Sequence, residues 1–203
     1  VSGSHATDST RGLVVLGLDP GSLATGWGVV RIVGNEVGHL AHGVVVVRGV
    51  AFPERLGLIH RAVAAVVATH APDEVAVERV FMNRNVEAAL KLGQARGAAL
   101  AAALGGGCPV SEHAATQVKL ALTGTGRAEK VQVQHMVREI LGLGLPLPAD
   151  AADALAVAIC HAHQRRLNAR LVAIGSQGKT PVHANPAAAA LLGLRGRRGG
   201  RRR

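Results

Sequence analysis

Aromatic side chains are nearly absent from this chain: one Trp, two Phe and no Tyr among 203 residues. The hydrophobic 48% must therefore fill a core with alanine, valine, leucine and glycine, enough for one sizeable domain plus appendages. No apolar run reaches the roughly 18 residues of a membrane-spanning helix, so no membrane span is expected. The opening stretch VSGSHATDSTRG has no apolar segment of the kind a secretory signal carries, and residues 1–12 read as a disordered leader. Only two cysteines occur, Cys108 and Cys160, too few for a disulfide framework. A reducing, cytoplasmic setting fits, with Cys160 as a small core residue. Acidic residues are missing altogether from 164–203, which hold ten Lys or Arg, while the 13 basic and 13 acidic residues of 1–163 balance. The whole net charge of +10 thus sits in a tail ending RGRRGGRRR. Such a tail suits a polyanion such as nucleic acid, and without one it is expected to be disordered.

What the chain does have is a run of clear elements. LVVLGL (Leu13 to Leu18) reads as a buried central strand, followed by the turn signal DPGS. GWGVVRIV (Gly26 to Val33) is a second strand, NEVG a tight connection and GVVVVR (Gly43 to Arg48) a third, together an antiparallel meander. Pro53 to His70 repeats apolar residues at helical spacing behind a Pro-Glu start. A short strand is expected over Glu74 to Val80, a long helix over 85–104, and a last strand after GGGC. Helices follow near 114–122, 128–141 and 150–163. Strands separated by helices imply parallel pairing beside the meander, giving an α/β fold with a mixed sheet covered by helices.

Four carboxylates stand in unexpected places. Asp19 closes the buried strand beside a glycine turn, where α/β sheets form sites, although an Asx turn would also account for it. Glu78 lies inside the apolar strand EVAVERV on the face of Ala76 and Val80; an edge position or pairing with Arg79 or Arg84 is the plainer account. Asp150 and Asp153 lie three apart at the start of the apolar helix PADAADALAVAICH. Capping explains one aspartate and tolerates the second, but not two like charges on one face. One cation site accounts for all four. Oxygen donors with no His or Cys nearby in sequence suit Mg²⁺ or Mn²⁺, and such ions can activate water and stabilise the leaving oxygen of a phosphodiester.

The stretches LGLDPGSLATGWGVV, VAVERVFMNRN, ALKLGQARGAAL, QVKLALTGTGRAEKVQVQHMV and PADAADALAVAICH together resemble the RuvC family of Holliday-junction resolvases. The resemblance runs from about Leu13 to His163 and leaves 164–203 outside it. It implies a ribonuclease-H-like fold over 13–163, with a five-stranded mixed sheet flanked by helices, acting as a homodimer. It further implies a Mg²⁺-dependent endonuclease, two ions per site, that nicks opposing strands of a four-way DNA junction symmetrically and leaves 5′-phosphate and 3′-hydroxyl ends. The family's acidic positions match Asp19, Glu78, Asp150 and Asp153. Contact with a RuvA–RuvB-type branch-migration complex is likewise implied.

Around this quartet, Phe81 in RVFMNRN is either a core or interface aromatic or a wedge that stacks at the junction centre, the role the resemblance favours. Arg84, with Arg79 and Asn85, is a weaker candidate for DNA contact. Lys119 and Lys130 flank LALTGTGRAE, whose TGTG offers backbone N–H groups to phosphate before a helix, without the Lys-Ser or Lys-Thr of a Walker loop. His161 and His163 are too badly spaced on a helix to share one face and one metal. A sugar-kinase or actin-like ATPase would need a much longer chain; a nuclease acting on RNA and a non-catalytic junction binder remain as rivals.

Overall fold

The computed structural model describes residues 12–79, 85–144 and 146–177. The chain divides into a compact unit up to Arg166 and a second unit from Leu167, of which the described part is the end of one helix. Five strands form one sheet: β1 (Leu13–Pro20), β2 (Ala24–Val33), β3 (Glu36–Val46), β4 (Glu74–Glu78) and β5 (Val110–His113), in the order β3-β2-β1-β4-β5. β1 pairs antiparallel with β2, and β2 with β3; β1 and β5 flank β4 in parallel. The crossovers from β3 to β4 and from β4 to β5 contain α1 (Phe52–His70) and α2 (Val86–Gly105), as parallel pairing requires. α3 (Ala115–Thr123), α4 (Lys130–Leu141) and α5 (Ala149–Gln177) complete the chain.

Strand alternation splits the core in two. Val14, Leu16, Leu18, Val75 and Val77 pack against α1 and α2. Val15, Val30 and Ala76 face the other way, onto α3, α4 and α5. With helices on both faces, β1 is apolar from Leu13 to Leu18, and this is why that stretch shows no polar alternation. α5 lies within the second layer. From Ala151 to Ala162 every residue is buried except Asp153, so this stretch is apolar around its whole circumference.

α5 is pinned at mid-length by a buried polar chain. His113 Nε2 and His161 Nδ1 are 3.0 Å apart, and His161 Nε2 lies 2.5 Å from Glu74 Oε2. Arg165 pairs with the other Glu74 oxygen. Burial, the neighbouring imidazole and Arg79 push His113 down to about 4. Burial also lowers His161. Two neutral imidazoles suit this chain, since one donated N–H then serves each link.

The structure departs from the sequence reading in three places. β3 starts at Glu36, not Gly43, and the connection is the two-residue turn Gly34–Asn35, with Gly34 at φ 56°. The missed half, EVGHLAH, lies on an edge strand that is largely open to solvent, so its polar residues and glycine carry no burial signal. α5 does not stop at His163 but continues to Gln177, so the boundary of a disordered tail at 164 is wrong for its first 14 residues, and the rest of that tail, like residues 1–11 of the expected leader, lies outside the described residues. Gln, Arg, Leu and Ala are good helix formers, and the change from apolar to basic composition marked the end of burial rather than the end of the helix. Third, TGTG is not a cradle leading directly into a helix. Gly124 (φ 74°) caps the C-terminus of α3, and α4 begins only at Lys130.

Candidate functional site

Period-two geometry puts Asp19, Glu78 and α5 on the same side of the sheet. Leu18 and Val77 are register partners and point toward α1 and α2. The next residues, Asp19 and Glu78, therefore point toward α5 at the carboxyl ends of two neighbouring parallel strands. Glu78 shares the face of Ala76, as its alternation predicts.

Glycines in the strands set how closely α5 approaches. A Cβ on Gly26, the register partner of Asp19, would stand 1.9 Å from the Asp150 carbonyl oxygen. One on Gly17 would stand 2.0 Å from that of Ala154. The helix backbone thus rests on bare sheet backbone at both points, and its first turns are held over the end of β1. Glycine inside a strand pattern is a signal for such an approach, and the sequence reading did not use it.

Asp19, Glu78 and Asp153 line one cleft of about 480 Å³ with Lys119 and Lys130, between apolar walls that include Val118, Val133 and Ala156. Asp150 does not line it, but lies near enough to act on Asp19. Burial, then the charges of Asp153, Asp150 and Glu78, raise Asp19 from 3.8 to about 7, with Lys130 opposing them. Glu78 is raised by burial and Asp153, against Lys119, Lys130 and Arg96. Lys130 Nζ binds Asp153 Oδ2 at 2.5 Å, and this bond raises the ammonium pKa. Burial is the largest cause of both shifts and the neighbouring carboxylates add to it, so an added positive charge is favoured in the cluster. Its donors are all hard oxygens, and donor chemistry and charge both fit Mg²⁺ or Mn²⁺. Among the described residues no group of three or more His, Cys, Asp or Glu is arranged to hold an ion as it stands. Lys130 engages one of the two Asp153 carboxylate oxygens, Oδ2.

Of the residues singled out in the sequence, Asp19, Glu78, Asp153, Lys119 and Lys130 meet in this cleft, with Asp150 beside it. Phe81 and Arg84 lie outside the described residues. Asn85 caps α2, its side chain accepting from Ala88 N at 3.0 Å, and Arg79 faces Glu112 at 3.7 Å. His161 and His163 diverge, the latter contacting the Ala121 carbonyl. The sequence reading missed Arg96 and Glu112, which meet behind Glu78. Nothing in the pattern of α2, which also contains Glu87, Lys91 and several leucines, singles out Arg96.

A family model described as "Crossover junction endodeoxyribonuclease RuvC" matches residues 15–161. A protein of that name from Citrifermentans bemidjiense is 49% identical over 158 residues, 77% of this chain and 96% of the relative. Another from Shewanella frigidimarina is 47% identical over 170 residues, 84% of this chain and 96% of the relative. The solved structure of Thermus thermophilus RuvC in complex with Holliday junction substrate superposes with a TM-score of 0.73 at 43% identity, covering 77% of this chain and 96% of that one.

Proposed function

This chain belongs to the RuvC family of crossover junction endodeoxyribonucleases and has its ribonuclease-H-like fold, and on that premise we propose that it resolves four-way DNA junctions by paired symmetric nicks in recombination and repair. The observation that carries this reading is the convergence of Asp19, Glu78 and Asp153 on one cleft rimmed by Lys119 and Lys130, with Asp150 beside it. In this reading Asp19 is the central carboxylate, and Glu78 and Asp153 complete a set that holds divalent cations. Asp150 holds a cation or orients the attacking water. When bound, Mg²⁺ supplies Lewis acidity and a water of lowered pKa. Lys130, released from Asp153, and Lys119 neutralise phosphate oxygens at the rim.

The same proposal includes a homodimer, so that two sites act on opposing strands, and Phe81 and Arg84 as contacts near the junction centre. It also includes action in the cytoplasm and cooperation with a RuvA–RuvB-type branch-migration complex. Among the described residues no helix is long and apolar enough to cross a membrane. The test is a synthetic mobile junction incubated with Mg²⁺ or with chelator, beside a linear duplex of the same sequence. Paired nicks in the junction, only with the ion, support the reading. An intact junction, or equal cutting of the duplex, overturns it.

The basic tail bears on the same substrate. Ending the chain after Gln177 keeps α5 whole and removes seven Lys or Arg. Every phosphate that a tail cation neutralises adds about 0.9 to the steepness of log affinity against log salt on duplex DNA. The truncated protein should show a slope shallower by about two to four, assuming a few of those cations touch phosphate, and affinity should fall most for plain duplex. Equal slopes by fluorescence anisotropy would leave the tail without a part in binding.

A further inference from the structure

β4 ends where its sheet partners run out. Its last register pair with β1 is Leu18 with Val77, and with β5 it is Glu78 with His113. Arg79 N–H still donates to the His113 carbonyl oxygen at 2.7 Å, and on the side of α2 a side chain adds a second tie. Arg96 Nη1 donates to the Glu78 carbonyl oxygen at 2.6 Å, and Nη2 donates to Glu112 Oε1 at 2.5 Å. The Arg96 side chain is only 12% exposed, and Ala95 beside it on α2 is fully buried. One planar fork therefore ties α2 to the ends of two strands, and its geometry suits two acceptors at once.

We propose that Arg96 is a positioning residue for the Glu78 carboxylate, acting through the Glu78 backbone and itself oriented by Glu112. The inference rests on the reading of Glu78 as a cation-holding residue. A site of this kind tolerates misplacement of only about 0.5 Å. Without the fork the strand end keeps its backbone tie to β5 but loses its tie to α2, and the Glu78 carboxylate shifts with it. Arg96 also has an opposing effect, because its positive charge disfavours a nearby cation. Arg96→Gln removes anchor and charge together, whereas Arg96→Lys keeps the charge and loses the fork. The lysine variant therefore isolates position.

The test uses the full chain without DNA, with Mn²⁺ affinity read from the paramagnetic resonance signal of the free ion. Arg96→Lys should weaken Mn²⁺ binding by roughly tenfold, the scale of losing a group that orients a ligand. Its junction affinity in chelator should stay within about twofold, since no phosphate contact is removed. Glu112→Ala, a change at a half-exposed position, should weaken Mn²⁺ binding in the same direction and by less. Glu78→Gln separates the two levels of the argument. If it leaves Mn²⁺ affinity unchanged, the reading of Glu78 fails, and the inference fails with it. If it weakens Mn²⁺ binding and Arg96→Lys does not, the inference alone is overturned. Should Arg96→Lys not fold, Glu112→Ala decides, and wild-type Mn²⁺ affinity in that variant overturns the proposal.

Discussion

Asp19→Asn should abolish junction nicking, by about 10³-fold or more, while stabilising the metal-free protein at pH 8. The loss follows if Asp19 is the central carboxylate, because catalysis then loses charge stabilisation worth several kcal/mol. Junction affinity should stay within about threefold, since the phosphate contacts are elsewhere. The gain in stability follows from linkage. The Asp19 carboxyl is raised from 3.8 to about 7 in the fold. The folded state thus holds a proton that the unfolded chain releases above about pH 4. This favours the wild-type fold fully at low pH, and the advantage is lost as pH rises through about 7, at most about 4 kcal/mol in all. The open cleft and Lys130 reduce that figure. Asparagine does not titrate, so the stability difference between variant and wild type should open between about pH 4 and 7 and then level off. Urea unfolding in chelator at several pH values reads it. Parallel pH curves for the two proteins would show that Asp19 carries no such strain. With Mg²⁺ limiting, nicking by the wild type should rise with pH through the same range, because protons compete with the ion.

Gly26→Ala should impair the same site from a residue with no functional group. Its Cβ would stand 1.9 Å from the Asp150 carbonyl oxygen, a backbone atom that cannot rotate aside. Either α5 lifts or β2 bends, and overpacking of this kind costs about 1–3 kcal/mol. The lifted helix carries Asp150 and Asp153 away from Asp19, so the Mg²⁺ concentration for half-maximal nicking should rise by at least about tenfold, as it does when a ligand's support is removed. Gly105→Ala is the control, since nothing lies within 4 Å of its added carbon. Wild-type stability and Mg²⁺ response in Gly26→Ala would mean that α5 does not rest on the sheet as described.

How much of this was legible in the sequence depended on where the physical cause lay. β1 was legible because helices cover both its faces and leave an unbroken apolar run. The placement of Glu78 was legible because strand alternation is strict. Asp153 stood out because it is the one residue of α5 between Ala151 and Ala162 that is not buried. The first half of β3 was not legible, since an edge strand half in water has no need of apolar residues. The end of α5 is hidden because the basic composition begins at 164, inside the helix, whose residues there still favour helix. Arg96 and the strand glycines belong to another case. A glycine inside a strand pattern signals a close approach, but what stands opposite it, or opposite Arg96, is set by distant parts of the chain. The acidic quartet itself was recognised through the ordered family motifs, with each carboxylate having an ordinary explanation taken alone.

The order of the chain has a consequence for how the protein comes to be active. β1, β2 and β3 follow one another through short connections and can pair early, because little loop entropy opposes them. Asp19 and Glu78 are 59 residues apart, and Asp150 lies a further 72 along. They meet only after β4 has inserted beside β1 and α5 has docked, the late, non-local steps of folding. A half-folded or still-emerging chain therefore has a meander but no cleft. Cutting competence arrives in one step with the finished fold, and an incomplete molecule has no means of damaging the DNA it meets.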